Sequence, residues 1–150
     1  MRNTLVAAAA MVLALTGAAS AAEVEVKMLN KGADGVMVFE PSLVKIAPGD
    51  TVKFVAVDKG HNAETIKGML PDGAQPVVGK LSQDVAMTFD KPGVYGIKCQ
   101  PHYGMGMVAM VVVGTPANET EAKAVTHPGR AKQVFASLFA KLEATRTAAK

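Results

Sequence analysis

The chain has 150 residues, a length that favours a single folded domain. Its 16 lysine and arginine residues against 13 aspartate and glutamate residues give a formal net charge of +3, which is too mild to indicate a nucleic-acid partner. A single cysteine excludes an internal disulfide. Nearly half of the residues, 49%, are hydrophobic, which is ample for one core.

The first residues have the features of an export signal. Arg2 gives a positive start, an apolar run covers residues 5–15, and the small residues 19–21 form an A-x-A cleavage site. We therefore predict a signal peptide over 1–21, cut after Ala21 or alternatively after Ala22. The apolar run is short for a membrane span, and no later segment is predicted to cross one. We expect the mature chain in a bacterial periplasm. The alternative interpretation of residues 1–21 is a buried N-terminal helix.

Residues 22–114 contain short segments of β-type pattern separated by turn signals rich in Gly and Pro. A less regular stretch covers 61–80, and 64–69 within it is compatible with a helical turn. This succession predicts an all-β sandwich of seven or eight short strands. The clearest predicted strands are 23–30, 36–39, 43–46, 51–57, 84–89, 94–98 and 107–113.

The pattern changes to a helical period in residues 115–150. The segment 117–124 is compatible with a helix, and 130–146 has five large apolar residues on one face of a helix. We predict a pair of helices packed on the same domain, with a membrane-surface or partner helix as the alternative. The apolar face is made of Val134, Phe135, Leu138, Phe139 and Leu142.

Soft and borderline donor atoms are concentrated in one ten-residue stretch, K-C-Q-P-H-Y-G-M-G-M, residues 98–107. It holds Cys99, His102 and two methionines, Met105 and Met107. His61 follows a predicted strand, in the loop D-K-G-H-N. A lone cysteine is more often a small buried hydrophobe, and a lone histidine is more often a structural residue. Their combination at this spacing is specific enough to predict a metal site.

A thiolate, two imidazoles and a weak axial thioether form the ligand set of a blue-copper site. Soft sulfur suits Cu(I) and nitrogen suits Cu(II), so a compromise geometry requires little rearrangement when an electron moves. We therefore predict one copper ion, Cu+/Cu2+, in an electron carrier. Spacing leaves Met105 and Met107 both open as the axial ligand; Met107, at the start of a predicted strand, is favoured.

Longer stretches resemble the cupredoxin family of blue-copper proteins over essentially the whole mature chain. They are M-L-N-K-G at 28–32, M-V-F-E-P at 37–41, P-G-D-T-V at 48–52, V-D-K-G-H-N at 57–62 and the stretch 98–107. The resemblance implies an eight-stranded Greek-key β-sandwich with the helical pair packed on it. It also implies that His61, Cys99, His102 and Met107 are the copper ligands.

The resemblance implies further roles near the ligands. Asn62 would brace the ligand loop and donate its backbone N–H toward the Cys99 sulfur. Pro101 would withhold a donor and stiffen the loop, and Met37 would pack on the His102 ring. For Pro101 and Met37, a plain structural role is the alternative.

The resemblance also implies a docking surface where the His102 edge reaches the solvent. Met105 would contribute to an apolar patch around that edge. A ring of lysines would steer an acidic partner toward it. The predicted lysines are Lys31, Lys59, Lys80 and Lys98, although lysines on a β protein are usually only solvated edges.

The partners implied by the family are copper nitrite reductase and c-type cytochromes, in denitrification, and the protein is expected to be a monomer.

Several other functions are less compatible with the sequence. An oxidase or a hydrolytic zinc enzyme needs an open metal position, and a Cys–His hydrolase leaves the methionines without a role. A copper buffer or chaperone is the stronger alternative, and a purely structural sandwich leaves the ligand loop unexplained.

Overall fold

The computed structural model describes residues 20–149, which form eight strands, a short 3-10 helix and two α-helices. Apart from residues 20 and 21, the predicted signal peptide lies outside the described range. The strands are β1 (Glu23–Gly32), β2 (Gly35–Glu40), β3 (Leu43–Ile46), β4 (Asp50–Val55), β5 (Glu64–Thr65), β6 (Val85–Phe89), β7 (Gly93–Lys98) and β8 (Val108–Val113). The 3-10 helix covers Gln100–Met105, and the α-helices are α1 (Glu119–Lys123) and α2 (Ala131–Ala148).

The strands form two four-stranded sheets, in the orders β2-β1-β4-β6 and β3-β8-β7-β5. Most neighbours are antiparallel, but β1 pairs with β4 and β3 pairs with β8 in parallel. Chain segments therefore cross repeatedly from one sheet to the other, as the predicted Greek-key sandwich requires. The predicted eight-stranded all-β fold is confirmed.

The main core lies between the two sheets. Alternating residues of β1 and β4, such as Val26, Met28, Val52 and Phe54, are fully buried there. Polar residues occupy the intervening positions, which is the period-2 pattern of a strand with one solvent-exposed face. Cys99 and Met107 belong to the same buried cluster. The metal-site residues are therefore rooted in the core rather than attached to the surface.

A second core covers the outer face of the sheet that contains β7 and β8. The α2 side chains Phe135, Leu138 and Leu142 are buried in the cluster that contains Met110 and Val112. All six residues of β8 are buried, because α2 covers the face that would otherwise meet water. The predicted packing of the helices on the sandwich is confirmed. Within residues 20–149, no helix is both long and apolar enough to span a bilayer.

Two local features differ from the sequence predictions. Glu64 and Thr65 form the short strand β5, paired with Lys98 and Ile97, where a helical turn was compatible with the pattern. The long-range pairing overrides a weak local preference. Met107 lies just before β8, which begins at Val108, rather than inside the strand.

Truncation of Leu138 tests the importance of the second core. Leu138→Ala removes a side chain that is 2% exposed and is expected to lower the free energy of unfolding by about 2 to 5 kcal/mol. Leu81→Ala makes the same chemical change at a residue that is 56% exposed and is expected to change it by less than about 0.5 kcal/mol. Urea unfolding of the metal-free protein measures both values. Equal effects would show that α2 does not share a core with the sandwich.

Candidate metal centre

The ligand loop, residues 99–107, joins β7 to β8 and is closed at its base by their hydrogen-bond ladder. The last antiparallel pair is Lys98 with Val108, and the Cys99 N–H then donates to the Met107 carbonyl at 3.0 Å. Within the loop, the His102 N–H donates to the Cys99 carbonyl at 3.2 Å. The β7–β8 register thus places Cys99 and Met107 opposite each other, with His102 above them.

Three donor atoms converge above this base. The Cys99 Sγ lies 3.5 Å from His102 Nδ1 and 3.7 Å from His61 Nδ1, and the two imidazole nitrogens are 3.1 Å apart. His61 enters from the loop after β4 and is fully buried, as is Cys99, whereas His102 is only half-buried. The sequence separation between His61 and Cys99 is 38 residues, so only the fold brings them together.

The triangle formed by these atoms has the size that a metal ion requires. A point equidistant from the three donors lies about 2.0 Å from each, the length of an ordinary metal–nitrogen bond and only slightly shorter than a metal–thiolate bond. Two imidazoles and one thiolate in a trigonal arrangement match the in-plane ligands of a type 1 copper site. The donor set and its spacing therefore fit copper.

His61 is held in the state that a metal needs. Its Nε2 lies 2.9 Å from the Asn30 carboxamide oxygen. This oxygen accepts only, so Nε2 carries the proton and Nδ1 presents its lone pair to the site. Burial lowers the pKa of His61, with a further contribution from the charge of His102. The imidazole is thus neutral at neutral pH and has a fixed tautomer.

The Cys99 thiol is in an environment that disfavours its ionised form when no metal is bound. Burial raises the pKa of Cys99, and backbone N–H groups of Asn62 and His102 act in the opposite direction by donating toward the sulfur. Glu64 adds a smaller raising effect through its negative charge. The thiolate therefore depends on a positively charged partner, and the N–H donors are already in place for it.

Asn62 ties the His61 loop to the ligand loop. Its side-chain oxygen accepts the Gln100 N–H at 2.8 Å, while its amide nitrogen donates to Glu64 and to the Gly79 carbonyl, both at 3.1 Å. Asn62 is 6% exposed, so these bonds are not exchanged easily with water. Asn62 thus has the bracing contacts that its predicted role requires.

The other residues predicted near the ligands differ in environment. Met107 is fully buried, and its N–H donates to the His102 carbonyl at 3.2 Å. Pro101 lies in the first turn of the 3-10 helix, where a missing N–H is tolerated. Met37 is half-buried against the main core with a φ of 51°, an uncommon conformation for this residue type. It lies between Val36 and Val38, which pair with Lys31 and Leu29 of β1.

The predicted docking residues do not all have the same surroundings. Met105 is 47% exposed in the ligand loop, and Lys31, Lys59 and Lys80 are exposed. Lys98 is different: its Nζ lies 3.2 Å from a Glu64 carboxylate oxygen and 5.0 Å from the centre of the Tyr103 ring. Its charge is therefore largely balanced within the protein.

Comparison with known proteins shows the same kind of site. The model of the copper binding proteins of the plastocyanin/azurin family matches residues 26–114. The pseudoazurin of Methylorubrum extorquens is 52% identical over 144 residues, which covers 94% of this chain and 97% of the relative. That of Paracoccus pantotrophus is 48% identical, with 87% and 91% covered. The chain belongs to the pseudoazurin family.

The folds agree as well. The crystal structure of pseudoazurin from Methylobacterium extorquens AM1 matches with a TM-score of 0.78 at 55% identity, covering 80% of this chain and 98% of the other. Pseudoazurins belong to the blue-copper electron carriers and are not enzymes. The three converging donors are thus a type 1 copper site, and the predicted copper cofactor is confirmed.

Several residues that shape the site were not predicted from the sequence. Asn30 lies in a strand, and nothing local marks it as the partner of His61. Glu64 bonds Asn62, two residues before it, but it reaches Lys98 only because β5 pairs with β7. Tyr103 forms a bond with His127, 24 residues away. The M-L-N-K-G stretch did indicate family membership, but not this role for Asn30.

Proton release tests the ionisation state of Cys99. Because burial raises the pKa of Cys99 while His61 is already neutral, metal-free protein at pH 7 is expected to release about one proton when Cu(I) binds without oxygen. The apparent affinity then falls about tenfold for each unit by which the pH is lowered, as expected when one proton is displaced by the metal. An indicator dye in weak buffer measures the proton. Cys99→Ala should release none; release by this variant would contradict the assignment.

Removal of the Asn30 side chain tests its role behind His61. Asn30→Ala is expected to weaken copper affinity by about 10- to 100-fold, because the imidazole loses the acceptor that fixes its tautomer. Asn118→Ala serves as the control: within the described residues, its side chain bonds only to the backbone of Val94 and to none of the metal-site residues. Competition with a chelator measures affinity. Equal losses of copper affinity in the two variants would contradict the proposed role of Asn30 in fixing His61.

Proposed function

We propose that the protein is a periplasmic electron carrier that delivers single electrons to copper nitrite reductase in denitrification, with c-type cytochromes among its redox partners. The observation that carries this proposal is the group of His61, Cys99 and His102, in which only His102 reaches the surface and beside which Met107 is fully buried. Met107 as a fourth ligand would close the site. A closed site suits electron transfer, because a catalytic metal needs an open position for its substrate.

Copper would supply the one-electron couple Cu+/Cu2+ at this site. The chain supplies a cavity whose donor residues are held by contacts with the rest of the fold. His61 is fixed by Asn30, Cys99 is fixed by the β7–β8 ladder, and both are fully buried. Such supports oppose movement of the donor atoms and keep the reorganisation on electron transfer small.

We assign Met107 as the weak axial ligand. It is fully buried in the same cluster as Cys99, and its backbone is bonded to Cys99 on one side and His102 on the other. Met105 is half exposed at the surface of the loop, which suits a docking residue better than a ligand. The weak thioether is one of the groups that tune the reduction potential of such a site.

The electron route would pass through His102. This ring is the only half-buried member of the described three-ligand group. Gly104 has no side chain to keep a partner away, and Pro101 and Met105 are exposed beside it. A partner surface that covers this patch would come close to a ligand of the metal through a small contact, as transient redox encounters require.

Lys31, Lys59 and Lys80 would steer an acidic partner to the patch. Lys31 follows Asn30, the residue that bonds His61, and Lys59 lies two residues before His61. Lys80 lies in the segment that reaches the same loop, where the Ser82 N–H donates to the His61 carbonyl at 2.7 Å. All three lysines therefore lie on segments that touch the His61 loop. Lys98, balanced by Glu64, would contribute less.

Export would explain the N-terminal sequence. Residues 1–21 are proposed to direct the chain to the periplasm and to be removed there, leaving the sandwich 22–114 and the helical extension 115–150 as one monomeric domain. In an oxidising compartment, a lone thiol is exposed to oxidation. Full burial of Cys99 and its bond to a metal would protect it.

A visible spectrum of the mature protein with copper tests the function. The expected result is an intense thiolate-to-copper charge-transfer band that disappears on addition of one electron per protein and returns on oxidation. A colourless protein that holds only Cu(I), or that loses its metal on oxidation, would instead indicate copper buffering.

Charge reversal tests the steering role of the lysines. The double variant Lys59→Glu/Lys80→Glu is expected to lower the on-rate for purified copper nitrite reductase by about tenfold or more at low ionic strength. The difference should shrink as salt is added. Lys45→Glu is the control, since Lys45 pairs with Val112 at the end of β8 far from the ligand loop. Stopped-flow mixing measures the rates, and equal slowing by both changes would refute specific steering.

A further inference from the structure

The helical extension, residues 115–149, contacts the ligand loop at three points. The Tyr103 hydroxyl lies 2.7 Å from His127 Nδ1. The Arg130 N–H donates to the Gly104 carbonyl at 2.9 Å, and Gly106 packs so closely on Arg130 and Val134 that an added Cβ would lie 3.1 Å from the Val134 side chain. The loop is therefore bounded by the extension along residues 103–106.

His127 is a rigid support for Tyr103. Its ring stacks on Phe135 with centroids 4.3 Å apart and planes 30° apart, and Phe135 is 2% exposed in the second core. Burial lowers the pKa of His127, so its imidazole is neutral at neutral pH and retains one nitrogen that can accept a hydrogen bond. The hydroxyl of Tyr103 is thus joined to a group that is itself held by the core.

Tyr103 in turn lies between two of the metal-site residues. Its carbonyl accepts the Gly106 N–H at 3.0 Å, while the carbonyl of the preceding His102 accepts the Met107 N–H at 3.2 Å. The peptide that joins His102 to Tyr103 therefore sets the path by which the chain returns to Met107. Much of the rest of the loop is exposed. Apart from bonds within the loop, the contacts described on this side are those with the extension and that of Lys98 with the Tyr103 ring.

We propose that His127 is a positioning residue for the copper site: through Tyr103 it fixes the half of the ligand loop that connects His102 to Met107. The extension acts as a clamp on the loop as well as a cover for the sheet. The copper-binding family model ends at residue 114, so this clamp lies outside the part of the chain that the model describes. The inference rests on the proposed role of Met107 as a ligand.

Three full-length mature variants test the clamp. His127→Phe keeps a ring on Phe135 but loses the hydrogen bond, Tyr103→Phe removes the same bond from the other side, and the third variant combines both. In metal-free protein, amide exchange at Gly106 and Met107, followed by NMR, is expected to be severalfold faster in all three. With copper, the reduction potential and the relative intensities of the visible charge-transfer bands are expected to move equally in all three, because only one bond is lost.

Leu142→Ala is the matched control. It weakens the extension at a residue that is 1% exposed and near the far end of α2, away from the loop. It should lower stability but leave exchange at Gly106 and Met107, the potential and the band intensities unchanged.

Three outcomes would overturn the proposal. The first is that both single variants keep the wild-type exchange rates and reduction potential. The second is that Leu142→Ala changes these quantities as much as the single variants do. The third is that the effects of the two single variants add in the double variant. If wild-type protein lacked the charge-transfer band, the proposed function would fail instead, while exchange in the metal-free protein would still test the clamp.

Discussion

The hydrogen-bond ladder between β7 and β8 is the constraint on which the rest of the site depends. It continues past the strands to the Cys99 N–H and the Met107 carbonyl, 3.0 Å apart, and so closes the ligand loop at its base. A slip of one residue in this register would turn Cys99 out of the core. Because β8 is buried on both faces, by the other sheet and by α2, such a slip would also exchange the side chains packed in the two cores and disrupt both.

Separate segments bring the remaining donors to this base, and hydrogen bonds from neighbouring residues fix them there. Asn30 on β1 fixes His61, and Asn62 joins the His61 loop to Gln100 in the ligand loop. Glu64 and Lys98 pair beside these contacts at 3.2 Å, with side-chain exposures of 13% and 21%. Such a pair adds little net stability because its charges must lose water. Its consequence is positional: it fixes β5 against the strand that leads to Cys99.

The sequence predicted the fold and the copper site because much of their signal is local. Alternation marks most of the strands, and Cys99, His102 and Met107 lie within nine residues. Contacts that arise only from long-range pairing left no such signal. The two residues of β5 had no alternation to reveal them, and nothing in the sequence around Lys98 indicated its partner Glu64. The bond of Tyr103 to His127 likewise depends on how α2 packs, which the helical period indicated only as a buried face.

A single physical idea connects these features: the polypeptide holds the donor atoms in place before any metal arrives. Crystal structures of the mature protein in metal-free, Cu(I) and Cu(II) forms test this idea most directly. The account predicts that Cys99 Sγ and the Nδ1 atoms of His61 and His102 keep the same mutual distances in all three forms, within coordinate error. A His102 ring that swings away, or a ligand loop that refolds when copper is removed or reduced, would contradict it.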